Sequence, residues 1–268
     1  MFTWIKTGDL QLLTIPEFEQ NGIKAYFTSR IGGVSTGNYS NLNLGLHTND
    51  DKMNVLKNRK KLAYTLGIDH NSFTSADQVH NNHVSIIKKE DAGKGALNYQ
   101  DSIQGTDALL TKEKNLPLIS FYADCVPLYL LDPIEQIIGL AHAGWRGTVK
   151  NIAAATVSVM VNELGSKLKN IWAAIGPCIS KDNYQVDEKV IARVKSAVTY
   201  YKEVIVKQGS GLYLLDLRLL NYQLLRNIGI NTDRIIMDNH CTFKQEEYFY
   251  SYRRDKGKTG RMCSIIYQ

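Results

Sequence analysis

The stretch GLAHAGWRGTVKNI, Gly139–Ile152, sets the firmest limit on how this chain folds. An apolar run of strand character stops there, and a helix-like pattern begins at once. Gly144 and Gly147 suit the tight backbone of such a seam, and Trp145 packs in any ordinary strand-to-helix turn. A chemical reading stands beside that bland one: the strand ends where His142 serves as a ligand or base and Arg146 as an anion partner.

The same alternation recurs along the chain. Apolar runs suited to buried strands occupy 25–28, 84–88, 116–123, 137–143, 171–175, 234–237 and 263–267. Helical spacing lies between them. Asp50 and Asp51 precede Val55, Leu62 and Leu66, with Gly67 as the stop. Thr148 is placed to cap a helix carrying Ile152, Ala155, Val159 and Leu164, closed by Gly165. Further helices are expected after Asp187, through Val190, Ile191, Val194 and Val198, and after Asp216, through Leu217, Leu220, Leu224 and Ile228 before Gly229. No repeat or low-complexity linker divides the 268 residues. The expected class is α/β or α+β, with mixed sheets covered by helices in a single compact domain spanning 1–268.

Composition narrows the class further. The opening MFTWIKTGDL lacks the basic flank and long apolar core of a signal peptide, and no later run approaches a membrane span, so a cytoplasmic protein with no membrane partner is expected. Cys125, Cys178, Cys241 and Cys263 form no CxxC pair and read as free thiols. A net charge of +6 suits either a nucleic-acid surface or an enzyme acting on phosphate-bearing substrates. The basic pieces KNRKK, Lys57–Lys61, and RRDKGK, Arg253–Lys258, are short and are not interleaved with aromatics, although Tyr250 and Tyr252 lie close to the second. That argues against nucleic acid as a partner.

Three residues with metal-binding side chains fall at or beside the ends of apolar segments: His80 in ADQVHNNHV, Cys125 in ISFYADCVPLYLLD, and His142. Two imidazoles and a thiolate form a zinc set, and three protein ligands leave a fourth position free, as catalytic zinc requires. Satisfied core or turn residues remain the alternative, because no two of the three share a short motif. His83 competes with His80, but in an extended segment the two point to opposite faces. His47 and His240 are further candidates; His240 adjoins Cys241, and neighbouring side chains diverge.

Anion-binding features accompany them. TSRIGGVSTGNYSNLNLG offers Arg30, Gly32, Gly33, Ser35, Thr36 and Asn43 with many backbone donors and no Walker lysine pattern; a plain surface loop explains it equally well. Arg146 is better placed, since a strand end followed by a helix start presents a guanidinium beside free N–H groups. Asp124 can act as an acid, a base or the partner of a metal-held imidazole, or simply cap a loop. In AAIGPCISKDNYQV, Gly176, Pro177 and Cys178 form either a nucleophile loop or a proline-shaped turn.

Taken together, TSRIGGVS, NLNLG, QVH, ADCVPL, AHAGWRG, GPCIS and SYRRDKGKTGR resemble the laccase-domain, or multicopper polyphenol oxidase-type, family, whose members are described as purine nucleoside phosphorylases with adenosine deaminase activity. The resemblance runs from Ala25 to the C-terminus. It implies a histidine–cysteine–histidine metal set, which falls on His80, Cys125 and His142. Zn2+ suits those donors, with Cu2+ as an alternative occupant. It also implies purine nucleosides and inorganic phosphate as partners. The expected reaction is phosphorolysis of adenosine, inosine and 5′-methylthioadenosine to the free base and ribose 1-phosphate, with deamination of adenosine at the same centre. Arg30, Asn43 and Arg146 lie in the matching motifs and are assigned the phosphate and substrate contacts; Asp124 is assigned to protonate the leaving purine.

The oxidase label meets a chemical obstacle. A four-copper laccase consumes many histidines in HxH pairs, whereas this chain has 6 histidines and no HxH. Two other readings stay open. Cys125 can be the nucleophile of a cysteine hydrolase or deamidase, paired with His80 or His142, in line with a fold analogy between the family and a bacterial toxin deamidase. Alternatively, the metal stabilises a non-catalytic binding module, in which case His83 or His47 should close the site as a fourth ligand.

Overall fold

A hairpin of β1 (Thr3–Thr7) and β2 (Leu10–Thr14) begins the computed structural model, which describes residues 1–268. Helix α1 (Pro16–Glu19), β3 (Lys24–Thr28), α2 (Lys52–Leu66), β4 (Thr74–Ser75), β5 (Val84–Ile86) and β6 (Ala108–Thr111) follow. Then come β7 (Leu118–Tyr122), β8 (Val126–Asp132), β9 (Ile137–Ala143), α3 (Trp145–Val149), α4 (Ile152–Asn162) and β10 (Trp172–Ile175). The last third holds β11 (Gln185–Asp187), α5 (Glu188–Ala197), α6 (Tyr201–Val204), β12 (Ile205–Gly209), β13 (Leu212–Leu215), α7 (Leu217–Ile228), β14 (Ile235–Met237) and β15 (Met262–Tyr267).

These elements build two mixed six-stranded sheets, ordered β1-β2-β3-β15-β7-β4 and β14-β10-β8-β9-β6-β5, and a small antiparallel sheet, β11-β13-β12. The large sheets stack face to face. Strand β9 shows why: Ile138 and Leu140 join the core shared with Phe27, Tyr122 and Met262 of the first sheet, whereas Ile137, Ala141 and Ala143 face a second core with α4 and α7. Side chains on a strand alternate between faces, so an apolar run with no polar position is a strand covered on both sides. A third core, including Leu10, Phe121, Ile265 and Leu62, seats α2 on the outer face of the first sheet. The α+β class expected from the sequence is therefore observed, as four layers in the order helix, sheet, sheet, helices.

Three of the expected helix starts hold. The side chains of Asp51, Asp187 and Asp216 each accept a hydrogen bond from backbone N–H groups of the following turn, and Gly67 and Gly229 end their helices at φ of 68° and 100°. Thr148 is a correction. It lies inside α3, where its hydroxyl donates to the Ala143 carbonyl, and Asn151, at φ 58°, caps α4 through the Ala154 N–H. An extra helical turn intervenes there before the chain reverses into α4. No helix is long and apolar enough to cross a membrane.

Candidate metal centre

Strands β7 and β8 lie in different large sheets, so the chain changes sheet at Ala123–Asp124–Cys125. Asp124 makes the corner at φ 92°, a left-handed angle that costs a residue other than glycine about 1–3 kcal/mol unless its surroundings hold it. Cys125 emerges directly from this corner. Register then decides its neighbour: Pro127 pairs with His142 and Val126 with Ala143, which sets Cys125 against Gly144. The alternation of β9 turns His142 toward the inter-sheet side, where its ring lies 5.6 Å from that of Tyr122.

His80 arrives from a loop with no regular structure of its own. Two side chains fasten that loop. Gln78 uses its amide like a strand, donating to the Phe121 carbonyl at 2.9 Å and accepting from the Phe121 N–H at 2.8 Å. Asp107 accepts the His80 N–H at 3.0 Å and the Asn81 N–H at 2.7 Å. His80 itself sits at φ 60°.

The three side chains converge: one donor atom each from His80, Cys125 and His142 lies within 4.8 Å of the others. The rings of His80 and His142 meet nearly at right angles, with centroids 4.7 Å apart. Asp107 Oδ1 takes Nδ1 of His142 at 2.9 Å, which leaves Nε2 as the free nitrogen. Burial opposes ionisation of the Cys125 thiol, but the His142 and His80 rings outweigh it and lower its pKa to about 6. His142 is shifted the opposite way, to about 9, because Cys125 and Asp107 outweigh its burial. Two imidazole nitrogens and a readily formed thiolate fit a borderline-soft divalent ion, which these three residues could hold.

The trio lies on the wall of a cleft of about 480 Å³ that also presents Trp145, Tyr184, Tyr252, Arg146, Arg253 and Arg261. Arg146 stacks over Trp145 at 4.8 Å and has no hydrogen-bond or ion-pair partner in the chain. The two carboxylates that border the cleft are already engaged. Asp77 accepts the N–H groups of Gly105 and Thr106. Asp124 accepts from Thr242 Oγ1 at 2.7 Å, Ser251 Oγ at 2.9 Å and the Arg253 N–H at 2.7 Å.

Residues 24–268 match the family profile described as multi-copper polyphenol oxidoreductase laccase. The chain belongs to that family. Its relatives include the purine nucleoside phosphorylase YlmD of Bacillus subtilis, 40% identical over 90% of this chain and 87% of the relative. The purine nucleoside phosphorylase of Deinococcus radiodurans is 39% identical over 90% and 87%. Among solved structures, YlmD from Geobacillus stearothermophilus superposes with a TM-score of 0.94 at 34% identity, over 100% of this chain and 98% of that one. The Bacillus licheniformis protein YfiH gives 0.93 at 38%, over 95% of both.

Within this laccase-family chain, several residues expected at the cleft lie elsewhere or do other work. Arg30 lies outside the cleft: its guanidinium donates to the Glu246 and Ser40 carbonyls and stacks on Tyr250 at 4.5 Å, on a separate surface groove. In its loop, Val34 N–H donates to Asn58 Oδ1 of α2 and Ser35 N–H to the Asn41 carbonyl. Asn43 is fully buried; it holds Thr48, Asp50 and Gly45 and accepts the Arg261 backbone N–H at 2.8 Å. Asp124 borders the cleft, yet its oxygens accept three hydrogen bonds, so it has the contacts of a structural anion even though burial pushes its pKa upward.

The other candidates separate cleanly. His83 is exposed, and its carbonyl serves the Asp107 and Ala108 N–H groups. His47 borders the cleft outside the trio. His240 is bound by Asp238 and Trp4. Cys178 is buried, with its thiol pushed up to about 11, and packs in the core as the turn reading requires. Asp107, Arg253, Arg261 and Tyr184 line or support the site without being candidates from the sequence; Arg253 and Arg261 fall within SYRRDKGKTGR, whereas none of the family motifs marks Asp107 or Tyr184.

Proposed function

We propose that this chain is a zinc-dependent purine nucleoside phosphorylase acting on adenosine, inosine and 5′-methylthioadenosine, with adenosine deaminase activity at the same centre. One observation carries the reading: His80, Cys125 and His142 converge in a cleft whose unopposed charges are arginines. The names of the relatives agree with it. The cleft lies within the size range of small-ligand sites.

His80, Cys125 and His142 hold the ion through two imidazole nitrogens and a thiolate. When bound, that ion supplies Lewis acidity toward a substrate oxygen or phosphate. Arg146 offers a free guanidinium for the phosphate dianion, supported by Arg253 and Arg261, and together they offset charge as the glycosidic bond breaks. Tyr184, Tyr252 and Trp145 offer faces for the base. Asp124 is the anchor of the wall.

Chromatography of the purified protein incubated with adenosine, with and without phosphate, tests this. Adenine formed only with phosphate marks phosphorolysis, and inosine marks deamination. Absence of both products overturns the assignment. Cys125→Ala should remove metal binding and both activities together while the protein stays folded; turnover in metal-free protein refutes the metal's role.

A second reading has its own observation. Cys125, His142 and Asp107 stand in the order nucleophile, base and orienting carboxylate. A thioester trapped on Cys125 of metal-free protein with amide or ester substrates would favour a thiol hydrolase. Zinc protection of Cys125 from alkylation, with no acyl-enzyme, favours the phosphorylase.

A further inference from the structure

We infer that Asp107 is the positioning residue that turns His80 and His142 into a metal-binding pair. This rests on the metal-holding reading of the trio. Asp107 immediately precedes β6, and the register Ala108 to Ala141 sets it against His142, whose N–H donates to the Asp107 carbonyl at 2.8 Å. The pairing of two strands thus delivers the carboxylate to the ring. Its side chain is 0% exposed.

Both oxygens are used. Oδ1 accepts Nδ1–H of His142 at 2.9 Å and the His80 N–H at 3.0 Å, and Oδ2 accepts the Asn81 N–H at 2.7 Å. One anion therefore sets the tautomer of one ligand and pins the left-handed backbone, φ 60°, of the other. A histidine whose Nδ1–H is held by a carboxylate keeps the Nε2 lone pair available for an ion. His240 supplies the contrast: Asp238 holds its Nδ1 at 2.9 Å, but its Nε2 already accepts from Trp4 Nε1 at 3.1 Å. At His142 that second nitrogen is left for the site.

Asparagine cannot replace this carboxylate. If its oxygen faces His142, its NH2 confronts the Asn81 N–H, donor against donor. If its NH2 faces His142, Nδ1 must become the acceptor and the proton moves to Nε2, the nitrogen the ion needs. Either orientation spoils the centre.

The test uses the full chain and Zn2+ itself. Affinity is measured by competition with a chromogenic chelator for wild type, Asp107→Asn and Cys125→Ala. The expected result is a 10–100-fold weaker dissociation constant for Asp107→Asn, with metal-free circular dichroism unchanged. Nitrogen-15 NMR of zinc-loaded wild type provides a reading independent of any variant's folding. His142 should carry its proton on Nδ1, and zinc-free Asp107→Asn should shift neutral His142 toward the Nε2–H form. Equal zinc affinity in Asp107→Asn, or a His142 protonated on Nε2 in the loaded wild type, overturns the inference while the metal reading survives. Failure of the wild type to bind Zn2+ sinks both.

Discussion

Gly144 stands against Cys125, and a β-carbon built on it would lie 3.0 Å from the Cys125 sulfur and 3.0 Å from Cδ2 of His80. The glycine of AHAGWRG is therefore there for room rather than for an unusual angle, since its φ of −64° suits any residue. Gly144→Ala should fold and yet push two of the three donors apart. We expect zinc affinity to fall by at least about tenfold, about 1.4 kcal/mol. Chelator competition beside a thermal melt of the metal-free protein checks this; unchanged affinity would mean that the trio tolerates the added methyl.

The metal-free centre should behave as an ion pair over a defined pH window. Cys125 has its folded pKa lowered to about 6 from 9.0, so its stabilising share is lost as pH falls through about 6. His142 is raised to about 9 from 6.5, so its share is lost as pH rises through about 9. The extra stability of metal-free wild type over Cys125→Ser should therefore peak between these limits and decline on both sides. Urea denaturation across pH measures it. A difference that rises steadily to pH 10 would contradict the pairing.

Cys125 should also be the thiol that reacts first. Cys178 and Cys263 are buried, with pKa values pushed up to about 11 and about 12, and Cys241 is buried beneath Ser180 and Asn183. Reactivity follows the thiolate fraction and access. Iodoacetamide at pH 7 should label Cys125 of metal-free protein and leave the others intact, and zinc should block the labelling. Peptide mass mapping reads the outcome directly; labelling of Cys178 ahead of Cys125 would reverse this ranking.

The sequence announced the centre more clearly than the cleft around it. Cys125 and His142 lie at or beside the ends of apolar runs, and a strand covered on both faces has one obvious place to put a polar side chain, its end. His80 was legible as part of QVH, but its loop is held by Gln78 and Asp107, whose roles depend on register between segments far apart in the chain. No local pattern encodes that. Arg30 and Asn43 were harder to read for a related reason: an arginine or asparagine among glycines looks like an anion loop, and only the fold shows whether carbonyls such as Ser40 already occupy it. Short strands such as β4, β5 and β11 were invisible or misjudged in length, because two or three residues carry no periodicity.

Arg146 should separate binding from folding. Its guanidinium leans on Trp145 and has no other partner in the chain, so Arg146→Ala should change unfolding free energy by less than about 0.5 kcal/mol. If it receives phosphate in the ground state, KM for phosphate should rise about tenfold or more with a smaller change in kcat. A kcat loss at constant KM would place its contact in the transition state alone. Unchanged kinetics would remove it from the site.

Asp124 should prove a structural residue, and two substitutions can tell its side chain from its backbone. Asp124→Ala strips the acceptor from Thr242, Ser251 and the Arg253 N–H while keeping a β-carbon at φ 92°. Leaving such donors unpaired costs about 1–3 kcal/mol for each that cannot find water, so a total loss near about 3 kcal/mol is expected. Asp124→Gly loses the same hydrogen bonds but relieves the left-handed strain, which should return about 1 kcal/mol. The order wild type, glycine, alanine in urea midpoints follows from that difference. If alanine matched wild type in stability while phosphorolysis disappeared, Asp124 would be a proton donor after all, because only a chemical role loses activity without loosening the wall.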